Sequence, residues 1–291
     1  MPELPEVEVI KLGLQKKIIG SKITKIQVLS GKSFIGNPNL AIGQKVLNVW
    51  RRAKILGINL DGNTTLLFHL KMSGQLIFIP NDKQLTINDK RFIGGHPTED
   101  MMGKMPNVHT RVIFSFADGS HLYFNDLRKF GWVRIVTSTE VISNKLLKDL
   151  GPEPLEKGFT WQILKNNLLK HKTQVVKVAL MNQTVVAGIG NIYASETLFD
   201  AKIDPRKRVN ELQDKEFQQL HQGILKALKD GIKHGGSTRA NFVDAEGHRG
   251  YFLDYAYVYG RDKYKCKICG GEIKKIQQAG RGTYLCPSCQ R

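Results

Sequence analysis

Four cysteines constrain the fold of this chain more than any other feature of its sequence. They form two pairs, Cys266-x2-Cys269 and Cys286-x2-Cys289, sixteen residues apart, and the 291-residue chain has no others. This spacing is typical of two knuckles that close one tetrahedral zinc site, in which four thiolates leave no open coordination position. The pattern therefore predicts a structural zinc ion, with the run Gly280-Arg281-Gly282 favouring a β-hairpin between the knuckles. A pair of redox-active dithiols is the alternative.

The charge of the chain predicts a polyanionic partner. Its 44 Lys and Arg exceed its 26 Asp and Glu, which gives a formal net charge of +18. The basic residues are concentrated at the end, because residues 261–291 hold eight Lys or Arg and two acids. Nucleic acid is the leading candidate partner, and a lysine-rich surface that serves only solubility is the alternative. Arg281 is placed to reach a phosphate, or it is a solvated arginine.

Hydropathy argues against membrane and secretory classes. No segment approaches the roughly twenty apolar residues that a membrane helix needs. The acidic, proline-containing start lacks the basic and apolar regions of a secretory signal. We therefore expect an intracellular, cytoplasmic and nucleoid-associated protein whose cysteines do not form disulfides. We also expect a monomer, because nucleic acid would supply the partner surface.

The second residue offers unusual chemistry. If Met1 is removed, Pro2 becomes a free secondary amine that is followed directly by a carboxylate, Glu3. An α-amine titrates at about pH 8, so part of it is unprotonated at neutral pH and can attack an electrophilic sugar carbon. The neighbouring carboxylate can then transfer protons. The alternative is a proline that follows Met1 with no catalytic role.

The first half of the chain has the pattern of a β-rich domain. A helix comes first, since Pro5 suits a first helical turn and apolar residues recur after it every three or four positions. From about residue 23 to residue 136, short alternating runs predict a β-sandwich or barrel. Its clearest hairpin joins residues 111–116 to 121–124 across an Asp-Gly turn. Residues 81–108 are polar and contain glycine, which predicts a surface loop.

The second half follows a turn-rich boundary at Gly151-Pro152-Glu153-Pro154 and has helical periodicity. Residues 185–191 predict two tight turns whose glycines permit positive φ beside a helix N-terminus. Such turns can bind a phosphate, but they are also common in helix pairs without a ligand. Helices are predicted over residues 161–170, 173–182, 192–199 and 214–234. The predicted divisions are a domain over 1–136, a linker over 137–154, a helical domain over 155–258 and a zinc finger over 259–291.

Six motifs, taken in order, resemble those of one family. They are Pro2-Glu3-Leu4-Pro5-Glu6-Val7-Glu8, Arg51-Arg52-Ala53-Lys54, His69-Leu70-Lys71-Met72-Ser73-Gly74, Asn125-Asp126-Leu127-Arg128-Lys129-Phe130-Gly131, Gly188-Ile189-Gly190-Asn191-Ile192-Tyr193 and the four-cysteine finger. They span nearly the whole chain. The chain is similar to the formamidopyrimidine-DNA glycosylases, which are base-excision repair enzymes that remove oxidised purines and then cleave the DNA backbone.

The resemblance implies an α+β multidomain fold. Its parts are an N-terminal β-sandwich with flanking helices and a C-terminal helix-two-turn-helix domain with a zinc β-hairpin. The implied partner is damaged double-stranded DNA, held between the domains. The implied cofactor is one structural Zn²⁺, bound by Cys266, Cys269, Cys286 and Cys289.

The resemblance also implies residue roles. Pro2 would attack C1′ of the damaged nucleotide, form a Schiff base and expel the base, while Glu3 would transfer protons at the sugar. Lys54 would complete the catalytic set and contact a phosphate. Successive β- and δ-eliminations would then break both flanking phosphate bonds. The implied DNA contacts are His69, Met72, Arg128, Phe130, Lys172, Asn191, Tyr193 and Arg281.

Three of these residues match the family's intercalating residues. A lesion must leave the base stack, and something must then fill the gap and hold the partner base. Met72 offers a flexible apolar wedge, Arg128 a cation with several donors, and Phe130 a flat ring. Taken alone, Met72 would be a turn residue, Arg128 a solvated cation and Phe130 a core residue.

Some positions depart from the family pattern. Where members often carry a Thr-Leu-Arg-Asp type run in the loop that covers the lesion, this chain has Ser237-Thr238-Arg239-Ala240-Asn241-Phe242. Residues 81–108 form a longer connection than usual, and Leu127 stands where proline or valine is common. The start Glu3-Leu4-Pro5 favours the purine branch over the related pyrimidine branch, which typically has Glu-Gly-Pro.

Two other functions remain open at this point. One is a DNA-binding protein that has lost catalysis, which the intact Pro2, Glu3 and Lys54 argue against. The other is a zinc-ribbon RNA-binding or ribosome-associated protein. That function would account for the charge and the cysteines but not for the N-terminal or intercalating motifs.

Overall fold

The computed structural model describes residues 1–81, 91–95, 103–236 and 252–291. The described residues divide into two compact units, one formed by Met1–Lys148 and the other by residues 149–236 and 252–291. The departing run at residues 237–242 and much of the predicted loop at 81–108 lie outside the described residues.

Strands dominate the described part of the first unit. Its helices are α1 (Leu4–Ile18), α2 (Ser138–Ser143) and α3 (Lys145–Lys148). Its strands are β1 (Ile23–Val28), β2 (Phe34–Ile35), β3 (Val46–Arg52), β4 (Ile55–Leu60), β5 (Thr64–His69), β6 (Gly74–Ile79), β7 (Phe92–Gly95), β8 (Thr110–Phe116), β9 (His121–Asp126) and β10 (Trp132–Thr137).

These strands form two five-stranded sheets, with the orders β1-β8-β9-β6-β7 and β2-β10-β5-β4-β3. Their apolar faces share one core, in which Phe68 of the second sheet packs against Phe114 and Phe124 of the first at ring distances of 5.7 and 6.4 Å. Alternating strands bury one face in this way when two sheets stack. The predicted sandwich is therefore confirmed.

The helix α1 and the hairpin of β8 and β9 are formed as the sequence predicted. Val7, Ile10 and Leu14 on one face of α1 are buried in the sandwich core. In the hairpin, Phe114 pairs with Leu122 and Ser115 with His121 in antiparallel register.

The prediction of a surface loop over residues 81–108 was wrong for its middle. Residues 92–95 form β7, which pairs antiparallel with β6 and places the fully buried Phe92 in the core. A run this short has no periodicity to detect, and pairing at a sheet edge supplies the hydrogen bonds that make it a strand.

The second unit is helical and ends in a hairpin. Its helices are α4 (Trp161–Leu169), α5 (Val176–Leu180), α6 (Asn191–Asp200), α7 (Asp214–Lys233) and α8 (Phe252–Tyr255), and its strands are β11 (Lys274–Gln278) and β12 (Arg281–Leu285). β11 and β12 pair antiparallel up to Gln278 and Arg281. Between them Ala279 and Gly280 both have positive φ, at 45° and 72°, as a type I′ turn requires. The predicted β-hairpin is confirmed.

The predicted helix over residues 173–182 is shorter than expected. Its first residues pair instead with residues 207–210, since the Val176 amide donates to the Lys207 carbonyl at 2.8 Å and the Val209 amide donates to the Gln174 carbonyl at 3.0 Å. Pairing with a segment so distant in sequence leaves no local signal. Tertiary contacts thus override helical periodicity at this end.

The segment predicted as a linker contains α2 and α3. Thr137 begins α2 with a capping box, in which its hydroxyl accepts from the Glu140 amide and its own amide donates to the Glu140 carboxylate. The domain boundaries given above remain predictions. Among the described residues, no helix is both long enough and apolar enough to cross a membrane.

Candidate DNA-repair site

The N-terminus of α1 positions the predicted nucleophile. Glu3 is the N-cap residue, and it forms a reciprocal capping box with Glu6, in which the Glu3 amide donates to the Glu6 carboxylate at 2.7 Å. Pro5 lies in the first turn, where no backbone donor is needed. Pro2 and Glu3 are both buried. The motif at the start of the chain is therefore also a helix-start signal that fixes Pro2 directly before the first turn.

An ion pair joins α1 to the turn that carries Lys54. The Arg51 Nε donates to the Glu8 carboxylate at 2.8 Å, and its Nη1 donates to the Ala53 carbonyl at 3.2 Å. Burial acts to raise the pKa of Glu8, but the hydrogen bonds from Lys11 and Arg51 bring that pKa below its usual value. Ala53 has a φ of 53° in the short turn between β3 and β4, and the buried Lys54 follows it.

His69 is brought close to Lys54 by strand register. It ends β5 and pairs with Ile55, the residue after Lys54. Burial, followed by the charges of Lys71 and Lys54, lowers the pKa of His69 from 6.5 to about 3. Its Nδ1 accepts from the Lys71 amide at 3.0 Å, so in the neutral ring the proton lies on Nε2. His69 is thus an uncharged donor at physiological pH.

Asp126 holds together the two loops that carry the predicted intercalating residues. This fully buried carboxylate accepts from the Ser73 hydroxyl at 2.5 Å, the Arg128 amide at 3.2 Å and the Gly131 amide at 2.6 Å. Ser73 also accepts from the Arg128 amide at 3.0 Å. Because Ser73 follows Met72, these bonds fix the Met72 loop relative to the loop of Arg128 and Phe130.

A glycine closes the first of these loops. The Gly74 amide donates to the Leu70 carbonyl at 2.8 Å. A Cβ at Gly74 would lie 2.5 Å from that carbonyl oxygen, which is closer than any side chain tolerates. The tight loop that presents Met72 therefore requires glycine at its end.

The predicted intercalating residues lie at the surface of the first unit. Phe130 is 57% exposed, and the Arg128 guanidinium lies over its ring at 5.2 Å. Met72 is half-buried on the neighbouring loop. An exposed phenylalanine on a braced loop contributes nothing to the core, which favours a role in contacting a partner. The competing interpretation of Phe130 as a core residue is wrong.

In the second unit, Gln183 shapes the turn before α6. Its Nε2 donates to the Ile189 carbonyl at 2.8 Å, and its Oε1 accepts from the Gly188 amide at 3.0 Å. Of the two glycines expected to take positive φ, Gly188 does so at 88°, whereas Gly190 is extended at −131° and serves as the N-cap of α6. The turn thus brings Asn191 to the first position of the helix.

The predicted DNA contacts of this unit lie at three places: Asn191 in α6, Arg281 in the hairpin and Lys172 in the turn before α5. Asn191 donates through Nδ2 to the Gly282 carbonyl at 3.0 Å, which joins α6 to the hairpin. Arg281 is exposed beside the hairpin turn. Lys172 is exposed in the turn before α5, and its carbonyl accepts from the Asn210 amide at 3.0 Å.

Tyr193 is placed differently from the prediction. Its ring is fully buried 4.9 Å from the Phe252 ring, and a Cβ at Gly231 would lie 2.5 Å from it. The side chain therefore fills the space between α6, α7 and α8. The ring therefore packs in the interior, and a DNA contact of Tyr193, which would fall to its backbone, stays a prediction.

The four cysteines form one compact cluster. Their Sγ atoms all lie within 4.8 Å of one another, with 3.9 Å between those of Cys266 and Cys289 and 3.4 Å between those of Cys269 and Cys286. Four thiolates on one zinc ion would be about 3.8 Å apart, whereas a disulfide needs about 2.05 Å. The cluster therefore fits zinc and does not fit a disulfide.

Comparison with known proteins identifies the family. Models of the formamidopyrimidine-DNA glycosylase N-terminal domain, of its H2TH domain and of a zinc finger found in FPG and IleRS match residues 1–133, 150–242 and 265–291. The formamidopyrimidine-DNA glycosylase of Pelotomaculum thermopropionicum is 37% identical over 297 residues, which cover 100% of this chain and 99% of the relative. That of Listeria innocua is 35% identical, with 100% of both chains covered.

The chain belongs to the formamidopyrimidine-DNA glycosylase family.

Solved structures of this family have the same fold. A Lactococcus lactis FPG mutant in complex with Fapy-dG containing DNA matches with a TM-score of 0.85 and 33% identity over 100% of both chains. MutM in complex with carbocyclic 8-oxo-G containing DNA matches with a TM-score of 0.83 and 33% identity, again over 100% of both. The α+β multidomain fold predicted from the sequence is confirmed.

Membership of the glycosylase family settles the role of the cysteines. The zinc-finger match at residues 265–291 and the four-cysteine cluster together assign one structural zinc ion. Cys266 and Cys286 are also buried against Phe199 of α6, so the finger packs on the helical part of its own unit. The zinc-ribbon RNA-binding alternative, which left the first half of the chain unexplained, is wrong.

Sequence reasoning about this glycosylase missed several residues that shape the site. Glu196 of α6 is nearly fully buried. Its carboxylate accepts from the amides of Tyr257, Val258 and Tyr259 at 2.7 to 3.0 Å. These bonds hold residues 257–259, which precede the zinc finger, against α6. Asp126 could have been suspected, because an Asp two residues before Arg128 can accept from its amide. Glu196 has no such local signal.

Proposed function

We propose that this glycosylase removes oxidised purines, including 8-oxoguanine and formamidopyrimidines, from duplex DNA. The chain is a DNA glycosylase with abasic-site lyase activity by its family. The observation that carries the substrate class is the full-length match to structures whose DNA contains Fapy-dG, carbocyclic 8-oxo-G or an abasic site.

The proposed chemistry begins at Pro2. After removal of Met1, the proline nitrogen forms a bond to C1′ while the bond from C1′ to the base breaks, and the base leaves with a proton. Opening of the sugar ring then gives an iminium ion, the Schiff base. Loss of a proton from C2′ expels the 3′ phosphate, and a second elimination expels the 5′ phosphate. Hydrolysis frees Pro2.

The arrangement around Pro2 supports this proposal. Glu3 is the adjacent residue and is held at the positive end of α1, where a carboxylate is stabilised in its charged form. We assign to it the proton transfers at the sugar. Lys54 and the neutral His69 lie side by side at the ends of β4 and β5, where they offer a cation and an N–H donor to the backbone phosphate.

The two loops fixed by Asp126 supply the proposed wedge. Met72 and Phe130 would fill the space left by the extruded nucleotide, and Arg128 would hold the partner base. In the second unit, we propose that Asn191, Lys172 and Arg281 contact DNA. We also propose that the protein acts as a monomer inside the cell, because a DNA duplex supplies the only partner surface that this chemistry needs.

Borohydride trapping tests the proposal directly. The purified protein is incubated with duplex DNA that contains one 8-oxoguanine, borohydride is added, and the cross-linked residue is identified by mass spectrometry. We expect reduction of the iminium to leave a stable adduct on an N-terminal Pro2. Intact mass measures Met1 removal in the same sample. No adduct from a protein that lacks Met1 and binds the lesion would refute the Schiff-base mechanism.

A further inference from the structure

A lysine in α5 is almost completely buried. Lys177 is 1% exposed, and its ammonium donates to the Asn191 Oδ1 at 2.6 Å, the Thr283 Oγ1 at 2.7 Å and the Gly282 carbonyl at 3.2 Å. An ammonium has three N–H donors, and each of these three acceptors lies within hydrogen-bond distance of it. Burial of a charged group is costly unless it is hydrogen-bonded, so a lysine at this position indicates a specific role.

The acceptors of Lys177 lie in α6 and in the hairpin of β11 and β12, the two elements of this unit that carry proposed phosphate contacts. Asn191 is one such contact, at the start of α6. Gly282 and Thr283 directly follow the other, Arg281, in β12. The Asn191 Nδ2 donates to the same Gly282 carbonyl at 3.0 Å, so α5, α6 and the hairpin meet at one point.

We propose that Lys177 is a positioning residue for DNA binding. Its ammonium sets the distance between Asn191 and Arg281, so that the amide and the guanidinium meet neighbouring phosphates in one fixed arrangement. This inference rests on the proposed function, since it presupposes that both residues touch DNA.

Lysine suits this role because of its shape. The ammonium is compact and can donate in three directions, to a side-chain amide, a hydroxyl and a carbonyl at once. Thr283 is fully buried, so its hydroxyl has no contact with solvent and bonds inside the protein. The arrangement is therefore rigid on both the α6 and the hairpin side, as a two-point contact with a phosphate backbone requires.

A double-mutant cycle tests the inference. The variants are Lys177→Met, Arg281→Ala and the two combined. The affinity of each is measured by fluorescence anisotropy, over a range of salt, on a duplex with one tetrahydrofuran abasic analogue. We expect Lys177→Met to weaken binding roughly ten- to a hundredfold. We expect Arg281→Ala to make the salt dependence shallower by about one unit of slope.

The decisive expectation is coupling between the two residues. If Lys177 positions Arg281, the double variant binds at least about threefold more tightly than the product of the two single losses predicts. Its salt slope stays close to that of Arg281→Ala alone. A purely structural lysine would lower the unfolding temperature without such coupling.

Two further variants keep the test decisive. Lys165→Met removes a lysine of α4 that pairs with Asp214 at 2.5 Å, and it measures the effect of losing one positive charge elsewhere in the unit. Thr283→Val preserves the side-chain shape and removes one acceptor of the Lys177 ammonium. It therefore replaces Lys177→Met in the test if that variant does not fold. Zinc content and thermal unfolding are measured for every variant. We expect Thr283→Val to weaken binding about two- to fivefold, with the same coupling to Arg281.

The inference is overturned if folded, zinc-containing Lys177→Met or Thr283→Val binds within twofold of the wild type. It is also overturned if the losses simply multiply in the double variant. Failure of the wild type to bind the lesion duplex, or an unchanged affinity of Arg281→Ala, would instead refute the proposed DNA contacts on which the inference rests.

Discussion

Replacement of Asp126 by asparagine tests whether one buried carboxylate organises the wedge loops. Its Oδ1 accepts from the Ser73 hydroxyl and the Arg128 amide, and its Oδ2 accepts from the Gly131 amide at 2.6 Å. An asparagine has only one side-chain oxygen, so it can accept either from Ser73 and Arg128 or from Gly131. Its NH2 group takes the place of the other oxygen and faces a donor there. We expect it to keep the Ser73 and Arg128 bonds and to lose the bond from Gly131.

The magnitude follows from that lost bond. A buried donor group left without an acceptor costs about 1–3 kcal/mol, and Asp126→Asn creates two such groups, the Gly131 N–H and the new side-chain NH2. Partial relaxation of the loop reduces the sum, so we expect a loss of about 2–4 kcal/mol. This corresponds to a fall of roughly 5–15 °C in the unfolding temperature of a unit of this size.

The assay combines stability with recognition. Denaturant unfolding is followed by tryptophan fluorescence, to which Trp50 and Trp132 contribute from the first unit and Trp161 from the second. Binding of lesion duplexes is measured against each of the four opposite bases. Because Arg128 and Phe130 lie on the loop that Asp126 holds, we expect at least about tenfold weaker lesion binding and a smaller difference between opposite bases.

A matched control separates this effect from general loss of a carboxylate. Asp118 accepts from the Ser120 amide and hydroxyl at 2.9 and 2.6 Å in an exposed hairpin turn of the same unit. We expect Asp118→Asn to cost under about 1 kcal/mol and to leave binding unchanged. If Asp126→Asn matches this control in both stability and opposite-base preference, Asp126 does not organise the loops.

Three further predictions follow from the site. Pro2→Gly should slow base excision at least about a hundredfold in single-turnover kinetics while lesion affinity changes little, because only the nucleophile is altered; unchanged turnover would remove Pro2 from the mechanism. Cys286→Ser should release zinc, measured by mass spectrometry, and weaken DNA binding at least about tenfold, whereas Ser288→Ala in the same knuckle should do neither; wild-type affinity without zinc would contradict the role of the finger. Because the pKa of His69 is lowered from 6.5 to about 3, only the unfolded state binds its proton between these values, so stability is full above pH 6.5 and falls with decreasing pH. His69→Gln should therefore remove about 1 kcal/mol per pH unit from the slope of unfolding free energy between pH 6 and 4, and an identical slope would show that His69 is not held neutral.

Much of the fold and of the site could be predicted from sequence because the signals are local. The helix α1, the hairpin of β8 and β9 and the cysteine hairpin each depend on periodicity, a turn pair or ligand spacing within a short segment. Strand β7 and the shortened α5 were missed because each depends on a partner segment elsewhere in the chain. β7 needs the edge of β6, and the start of α5 is taken up by pairing with residues 207–210.

The same division applies to single residues. Sequence alone could name Phe130 and Arg128 as candidates, but only the fold shows that Phe130 is exposed and that Asp126 braces its loop. It could name Tyr193 by position in a motif, but burial decides that this ring packs in the core. Exposure is a property of what covers a residue, and the covering elements come from distant parts of the chain.

The sequence by itself determined the chemistry that this protein carries. The proline at position 2, the four thiolates and the basic balance of charge are properties of residue types and their spacing, and folding does not change them. The tertiary structure alone decided which groups act together. A buried lysine in α5, an amide in α6 and a carbonyl in the hairpin meet at one point because hydrogen bonds require contact within about 3 Å, and sequence separation says nothing about such distances.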